Sequence, residues 1–315
     1  MAAPEQGNQT SITEFVLLGF GTPPELQILL FLLFLLIYIA TMAGNILIMV
    51  LVVTAQHLHT PMYLFLGNLS CLETCYTSTI LPRLLASVLT GDRTISVTGC
   101  FIQYYIFGSL TAAECLLLSV MSYDRYLAIV KPLHYAAHMS GRSCLQLAAG
   151  SWVGGFLVNS ITAVLISQLI FCGPNAIDHF FCDFIPLVKL SCNDHQQMEM
   201  LAFTVSFIFS LVPFLLTVMS YISIIATILR IPSTTGKQKA FSTCSSHLIV
   251  VTLYYGTLLI AYLFPTVHTL RDFKKVLSVV YTVLTPLINP LIYTLRNKEV
   301  KEALRKACRK CIFGH

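Results

Sequence analysis

Long apolar runs separated by short polar connections occupy most of the chain. A helix needs about 20 mostly apolar residues to cross the roughly 30 Å hydrocarbon core of a bilayer, because its backbone groups must be satisfied within the segment. Seven runs meet this requirement, and they cover residues 28–55, 61–85, 96–130, 144–169, 201–229, 240–264 and 276–295. The pattern therefore predicts an all-α membrane protein in which seven transmembrane helices form one bundle.

The composition supports the same interpretation. Of the 315 residues, 56% are hydrophobic and only 10% are charged, whereas a soluble domain carries roughly 25% charged residues. The chain lacks the polar groups that would cover a water-exposed surface, which argues against a soluble enzyme. The sequence also shows no combination of nucleophile, base and oxyanion donors and no glycine-rich phosphate loop. We therefore expect neither enzymatic activity nor a cofactor.

Basic residues are distributed unevenly about the spans. The formal net charge is +5, but the basic residues lie between apolar runs and form no surface of interleaved arginines and aromatics, so no nucleic-acid partner is expected. The first 27 residues contain no lysine or arginine, whereas the segment from Arg296 to Lys310 contains seven. The positive-inside rule predicts an extracellular N-terminal tail (1–27), a membrane domain (28–295) and a cytoplasmic tail (296–315).

Both tails contain features that agree with this orientation. Asn8 begins an Asn-Gln-Thr glycosylation acceptor in the extracellular tail, while a second acceptor at Asn68 lies inside a span and should carry no glycan. In the cytoplasmic tail, Val300, Leu304 and Ala307 recur at helical spacing among basic residues. This pattern predicts an amphipathic helix along the inner membrane surface.

Four cysteines fall on the predicted outer side. Cys100 begins the third span, and Cys172, Cys182 and Cys192 lie in the long loop at about 170–200. Two disulfides among them would pin this loop over the mouth of the bundle, in a compartment where disulfides persist. The alternative is a metal site that adds His179, Asp183 and His195 as ligands. We favour the disulfides, whose pairing the spacing leaves open.

Ionisable residues inside the spans are candidates for function, because each one needs partners in the bundle interior. They are Glu73, Glu114, Asp124, Arg125 and His247. Glu73 and Glu114 share a predicted depth with two asparagines, Asn45 and Asn289, so these four residues are predicted to form one buried polar network. Two close carboxylates favour a shared proton or a bound cation. A hydrogen-bond network that only orients the helices is the alternative.

Short motifs recur in a fixed order along the spans. They are Gly44-Asn45, LHTPMY at 58–63, MSYDRYLAI at 121–129, KPLHY at 131–135, KAFSTCSSH at 239–247 and PLINPLIY at 286–293. Together they resemble the rhodopsin-like G-protein-coupled receptors, and specifically the class II (tetrapod-type) olfactory receptors, over essentially the whole chain. Val130 departs from the family, which usually carries a cysteine at this position.

The resemblance implies roles for individual residues. It implies disulfides between Cys100 and Cys182 and between Cys172 and Cys192. It also implies a cytoplasmic switch for G-protein coupling, formed by Asp124, Arg125, Tyr126, Tyr221, His247, Asn289 and Tyr293. The implied odorant pocket comprises Phe107, Gly108, Thr111, Ala112, Val205, Ser206, Phe209, Tyr255, Leu258, Leu259, Tyr262, Val279 and Thr282.

The chemistry of this residue set indicates a class of ligand. The implied pocket is apolar and aromatic with a few hydroxyls and contains no charged residue, which favours small, mainly uncharged volatile molecules. Carboxylates and amines would lack an obvious counter-ion. The resemblance implies an odorant receptor of the plasma membrane that activates a stimulatory, olfactory-type heterotrimeric G protein and raises cAMP. The alternatives are a chemoreceptor of this family for a non-volatile ligand outside the nose, and a transporter or channel.

Overall fold

The computed structural model describes residues 12–21, 23–192, 196–263 and 271–313. Within them, long helices overlap all seven predicted spans. They are α1 (Pro24–Thr54), α2 (Pro61–Thr90), α3 (Val97–Val130), α5 (Gly141–Ser167), α7 (Gln196–Arg230), α8 (Thr234–Leu263) and a last segment composed of α9 (Arg271–Val279), a π-helical turn (Val280–Leu284) and α10 (Thr285–Arg296). The described chain also contains three shorter α-helices, α4 (Pro132–His138), α6 (Phe184–Lys189) and α11 (Lys298–Phe313), and one 3-10 turn (Gln56–Leu58).

Five of the long helical segments are apolar and long enough to cross a membrane. These are Glu25–Thr54, Val97–Val130, Gly141–Ser167, Phe207–Arg230 and Lys275–Thr294. Helices α2 and α8 are more polar, because they turn a row of hydroxyl and ionisable groups toward the protein interior. Glu73 and Thr77 of α2 are buried, and so are Ser246 and His247 of α8. The fold is therefore that of a predominantly helical, multi-pass membrane protein.

Helix α3 lies at the centre of the bundle, in contact with α2, α5, α7 and α8. Its closest neighbour is α5, which approaches at Gly155. A Cβ atom on Gly155 would lie 2.5 Å from both the Ala113 nitrogen and the Ser109 oxygen of α3. Only a glycine allows two helix backbones to approach so closely. The residues of α3 are consequently held in fixed positions for the sites described below.

A small sheet covers the end of the bundle that the charge pattern predicts to face outward, called the outer end below. Strand β1 (Glu14–Leu17) pairs antiparallel with β2 (Thr94–Ser96) and parallel with β3 (Ala176–Ile177). The all-α prediction omitted this sheet, because strands of 2 to 4 residues are too short to produce a recognisable alternating pattern. The buried ring of Phe15 packs edge-on against Phe171 at 5.1 Å. Part of the N-terminal tail is thus built into the outer surface.

The predicted amphipathic helix of the cytoplasmic tail corresponds to α11. The side-chain oxygen of Asn297 caps the N-terminus of this helix. It accepts hydrogen bonds from the backbone N–H groups of Glu299 (3.0 Å) and Val300 (3.4 Å). The same oxygen accepts a hydrogen bond of 3.0 Å from the Tyr63 hydroxyl. Val300 and Ala303 are buried against the bundle. Contact of this helix with the inner membrane surface remains a prediction.

Candidate ligand and coupling sites

Two disulfides fix the loop between α5 and α7. They join Cys100 to Cys182 and Cys172 to Cys192, the pairing that the resemblance implied. Gln103 of α3 adds a polar anchor, since its side-chain oxygen accepts from the Cys182 N–H at 3.0 Å and its amide group donates to the Thr79 carbonyl at 3.0 Å. The loop is therefore attached to both α2 and α3.

These bonds also bear on the alternative of a metal site in the loop. Cys182 and Cys192, its two candidate thiolate ligands, are both consumed by disulfides. His179 is buried between aromatic rings, 4.7 Å from Phe180 and 4.6 Å from Phe181. Across the ranges that the structure describes, no group of three or more His, Cys, Asp or Glu side chains is arranged to hold a metal ion. His195 lies outside those ranges.

An aromatic cluster lies beneath the pinned loop. Phe107 is buried, and its ring lies 5.0 Å from Phe181 of the loop, 6.1 Å from Tyr76 of α2 and 6.4 Å from Tyr281 of the π-helical turn. The sequence reasoning identified Phe107 but not its three partners. Phe181 could have been predicted, because it directly precedes Cys182 and the disulfide of Cys182 brings this part of the loop to α3.

Below this cluster, two adjacent tyrosines connect α8 to α3. The Tyr255 hydroxyl donates to the Cys115 carbonyl at 2.7 Å, and the Tyr254 hydroxyl donates to the Thr111 carbonyl at 2.8 Å. Tyr255 and Thr111 belong to the predicted pocket, whereas Tyr254 was missed. Leu258 is buried one turn above Tyr254. The predicted ligand residues of α3 and α8 therefore lie against each other.

The remaining pocket candidates differ in their surroundings. Ala112, Val205 and Val279 are partly buried, and Thr282 is fully buried with its hydroxyl donating to the Ser278 carbonyl at 2.6 Å. The side chains of three candidates lie outside the described part of the chain, and these are Ser206, Leu259 and Tyr262.

Two predicted ligand contacts face other parts of the protein or its exterior. A Cβ atom on Gly108 would lie 2.8 Å from the side-chain oxygen of Asn159, so this glycine makes room for α5. Phe209 is 41% exposed and borders the outward-facing row of Ile208, Val212 and Leu216. Both residues lie on a different face of their helix from the one predicted. Consecutive residues are about 100° apart around a helix, so a small rotation of the helix about its axis changes which residues face the pocket.

The buried polar network at mid-bundle forms only in part. Asn289 donates a short hydrogen bond to the Glu73 carboxylate, whereas Asn45 donates to the carbonyls of Thr41 and Pro286 at 3.2 Å each. Glu114 is 1% exposed, and one of its oxygens has no hydrogen-bond partner within the described structure. Glu73 and Glu114 lie near enough for their charges to repel. A proton or cation between them would relieve this repulsion.

Most of the predicted switch residues lie near the C-terminal end of α3, which the charge pattern predicts to be cytoplasmic and which is called the cytoplasmic end below. The Arg125 Nε–H donates to the Asp124 carboxylate at 2.8 Å, and a second guanidinium N–H reaches the same oxygen. The Tyr135 hydroxyl of α4 donates to the other oxygen at 2.8 Å. Tyr126, one residue after Arg125, is half-buried and stacks on Tyr123. The Asp124 carboxylate therefore holds Arg125 toward its own helix.

A second polar contact at this end joins α7 to α8. The Tyr221 hydroxyl lies 2.6 Å from His247 Nδ1, and both side chains are buried. Tyr293 of α10 is buried as well. Asn289, the remaining switch candidate, lies deeper and contacts Glu73 instead.

Comparison with known proteins shows which family the chain belongs to. A family described as olfactory receptor matches residues 34–310. The chain belongs to the olfactory receptor family. Human olfactory receptor 11A1 is 51% identical over 300 residues, which are 95% of each chain. Human olfactory receptor 6P1 is 50% identical over 94% of this chain and 93% of its own length, and human olfactory receptor 6F1 is 50% identical over 96% and 98%.

Membership of this family confirms the resemblance read from the motifs. Olfactory receptors are odorant-sensing G-protein-coupled receptors with seven transmembrane helices, and they are not enzymes. The short motifs of this olfactory receptor occupy consistent places in the fold. LHTPMY enters α2, the segment around Arg125 ends α3, and PLINPLIY crosses α10.

Proposed function

We propose that this olfactory receptor binds small, mainly uncharged volatile molecules and activates a stimulatory, olfactory-type G protein that raises cAMP. The observation that carries the proposal is the aromatic cluster around Phe107, which lies beneath a disulfide-pinned loop and on the same helix as Arg125. Its neighbours Phe181, Tyr76 and Tyr281 add aromatic surface and no charge. Such a lining favours apolar ligands with one or two hydrogen-bonding groups.

The proposed mechanism is a shift between two helix arrangements. An odorant that contacts α3 and α8 near Phe107 and Tyr255 favours the arrangement in which the cytoplasmic end of α8 has moved outward. This movement separates Tyr221 from His247 and frees Arg125 from Asp124, so that Arg125 becomes available to the G protein. The hydrogen bonds of Tyr254 and Tyr255 to α3 support this movement. They hold α8 against α3 well above the switch residues and provide a fixed point about which the lower end of α8 can turn.

We also propose that Asn45, Glu73, Glu114 and Asn289 hold a proton or a cation that links the pocket to the switch. The support is the buried Glu114 oxygen that has no partner within the described structure, together with the close approach of Glu73. A buried, unpaired carboxylate is costly unless it is protonated or neutralised.

The proposed location is the plasma membrane, with the N-terminus outside. Its support is the absence of lysine and arginine from the first 27 residues and their concentration in the tail after Arg296. Asn8, which lies outside the described residues, supplies the test. Asn8→Gln should remove a glycosidase-sensitive shift in electrophoretic mobility, whereas a wild-type chain that glycosidase leaves unchanged would count against glycosylation there.

The function itself is tested by odorant-evoked cAMP in cells that express the chain with an olfactory-type G protein. Aliphatic alcohols, aldehydes and esters are compared with carboxylic acids of equal length, with surface staining of the receptor in every well. We expect responses to uncharged volatiles and none to the acids. Responses confined to acids, or silence from a receptor that stains at the surface, would contradict the proposal.

A further inference from the structure

A cavity lies at the outer end of the bundle, apart from the proposed odorant pocket. It is enclosed by the N-terminal segment, the outer ends of α1 and α2, and the pinned loop, and its volume is about 40 Å³. Among the described residues, none of those predicted for the odorant pocket lines it. We call it the outer cavity, and its apolar lining includes Leu17, Phe20, Leu30, Leu84, Val88 and Phe180.

The N-terminal segment forms one wall of the outer cavity and is fixed in place. The Leu17 N–H donates to the Arg93 carbonyl at 2.9 Å, which is part of the pairing between β1 and β2. The ring of Phe20 then stacks between Phe34 of α1, at 5.7 Å, and Phe180 of the loop, at 5.0 Å. The wall is therefore formed by contacts of the receptor itself and needs no ligand to assemble.

Arg93 adds positive charge to this apolar lining. Its guanidinium donates from Nη1 to the Leu18 carbonyl at 3.3 Å, so the side chain lies along the cavity wall. The adjacent acid, Asp92, accepts from the N–H and hydroxyl of Thr94 at 2.9 and 2.8 Å and lies 4.0 Å from Arg83. No aspartate or glutamate of the described ranges lines the cavity. The outer cavity thus combines a cation with apolar walls.

The outer cavity opens toward the outside of the bundle. Gly21 and Gly91 border it, and both are exposed. Their φ angles of 63° and 75° lie in the left-handed region that favours glycine, so no side chain narrows the opening at either position. A small molecule can therefore enter from the outer side without passing through the odorant pocket.

These features fit a short carboxylate. A guanidinium binds a carboxylate through paired, charge-assisted hydrogen bonds, and an apolar chain gains free energy when it leaves water. One water-sized group needs roughly 10–15 Å³ of cavity volume, so the outer cavity accommodates about three such groups. Three carbons make a propyl chain, which is the apolar part of butanoate.

We infer that the outer cavity is a second ligand site that takes small carboxylates such as butanoate, with the carboxylate at Arg93 and the chain among the apolar side chains. The site goes beyond the proposed odorant function, since Phe107 does not line it. It adjoins the odorant pocket through Phe180, whose ring stacks on His179 next to Phe181.

The test places a reporter thiol in the outer cavity by Ser87→Cys, a substitution of similar size at a half-buried lining position. Cells that display the receptor receive butanoate, 1-butanol or inorganic phosphate, and then methyl methanethiosulfonate. The rate at which the new thiol is modified is measured by mass spectrometry of the purified receptor. Wild type is treated in parallel to report modification of the native cysteines.

Butanoate alone should protect the thiol. At about ten times its dissociation constant, roughly one site in eleven is free, so the modification rate should fall about tenfold. Butanol has the chain without the charge, and phosphate has the charge without the chain. Neither should slow the reaction comparably at the same concentration.

Arg93→Gln, combined with Ser87→Cys, tests the role of the guanidinium. The butanoate concentration that gives half of the protection should rise about tenfold or more, because a charge-assisted contact is lost. If this variant stays inside the cell, Arg93→Lys keeps the charge without the planar fork and should still weaken protection. The matched control is Asp92→Cys, whose thiol is exposed beside Arg93 but outside the cavity, and butanoate should leave its modification rate unchanged.

Several outcomes would overturn this inference. They are an unchanged rate with butanoate, equal slowing by butanol or phosphate, protection that persists in Arg93→Gln, and equal protection of the Asp92→Cys thiol. None of these measurements uses cAMP. The odorant function is therefore judged separately, by the response to uncharged volatiles, and either proposal can fail without the other.

Discussion

The predicted outer and cytoplasmic ends of this olfactory receptor are held together by different kinds of interaction. At the outer end, two disulfides, a three-stranded sheet and the Gln103 anchor join the N-terminal segment, the loop and α3. At the cytoplasmic end, the described contacts between the switch residues are hydrogen bonds and one ion pair, chiefly those of Asp124, Arg125, Tyr221 and His247. Covalent links keep one arrangement, whereas polar contacts are easily exchanged for others. This difference fits the proposed mechanism, in which a rigid outer half binds the odorant and the inner half rearranges.

The region between the two ends contains features that favour bending of the bundle. Glu114, Asn289 and Tyr293 each bury a polar atom that has no partner in the described structure. The π-helical turn Val280–Leu284 interrupts the last membrane-spanning segment at the level of Tyr281 and Thr282, just before Pro286. Unsatisfied polar groups and helix irregularities mark places where a bundle bends at low free-energy cost. Movement is therefore expected to begin below Phe107 and to grow toward Arg125.

Arg125→Ala should produce the largest change, because it removes the residue that the proposed mechanism presents to the G protein. We expect odorant-evoked cAMP to fall to the level of cells without receptor, while surface staining stays near wild type. The removal also leaves the buried Asp124 carboxylate without its cation, so Arg125→Lys serves as the control that preserves charge. Full signalling by Arg125→Ala would contradict the assigned coupling site.

Removing the disulfides tests how strongly they stabilise the outer end. The bond between Cys100 and Cys182 closes 82 residues and the bond between Cys172 and Cys192 closes 20. The chain-entropy relation gives about 4.5 and about 3.3 kcal/mol of stabilisation, respectively.

The experiment uses paired serine substitutions at each bond, Cys100→Ser with Cys182→Ser and Cys172→Ser with Cys192→Ser. Thermal stability of the detergent-solubilised receptor should fall in both and fall further in the first. An identical loss in the two variants would show that loop length does not determine how strongly each bond holds the outer end.

Phe107→Leu should have an intermediate effect that is confined to ligand response. The smaller side chain keeps the site apolar but loses the ring that forms the proposed pocket with Phe181 and Tyr281, so the site fits the odorant less closely. We expect the half-maximal odorant concentration to rise about tenfold.

Phe15→Leu is the matched control for Phe107→Leu. Phe15 is another fully buried phenylalanine of the outer end, but it packs beneath the sheet against Phe171. This variant should lower surface expression and leave odorant potency unchanged. A rise in the odorant concentration required by both variants would mean that general packing, rather than ligand contact, determines the response.

The spans were predictable from sequence because hydrophobicity along about 20 residues is a local property. The motifs around Arg125 and His247 likewise identified residues that the structure brings into one cluster. The sheet was not predictable, since Phe15, Ile95 and Ala176 meet only after folding. Short pairings between distant segments leave no periodic signal in any one of them.

The faces of the helices were the least predictable feature of the site. Gly108 and Phe209 were expected at the ligand, yet one packs on Asn159 and the other lies at the edge of an exposed row. Their positions depend on how far α3 and α7 are rotated, which is set by contacts such as that of Gly155 with Ala113 rather than by local sequence. Asp183 was recognised only as a metal-ligand candidate, whereas the structure shows its carboxylate accepting a hydrogen bond from the Phe184 N–H at the start of α6.

Tyr135→Phe should give the smallest change and sharpen the comparison at the inner end. It removes one hydrogen bond to the Asp124 carboxylate and leaves the ion pair with Arg125 in place. A hydrogen bond to a charged group contributes about 1.5 kcal/mol or more, so the inactive arrangement loses part of its advantage and basal cAMP should rise by up to about tenfold. Tyr123→Phe is the control, because the exposed Tyr123 stacks on Tyr126 through its ring, which phenylalanine keeps. Equal basal activity in the two variants would mean that Arg125 alone holds Asp124, and that α4 takes no part in keeping the cytoplasmic end closed.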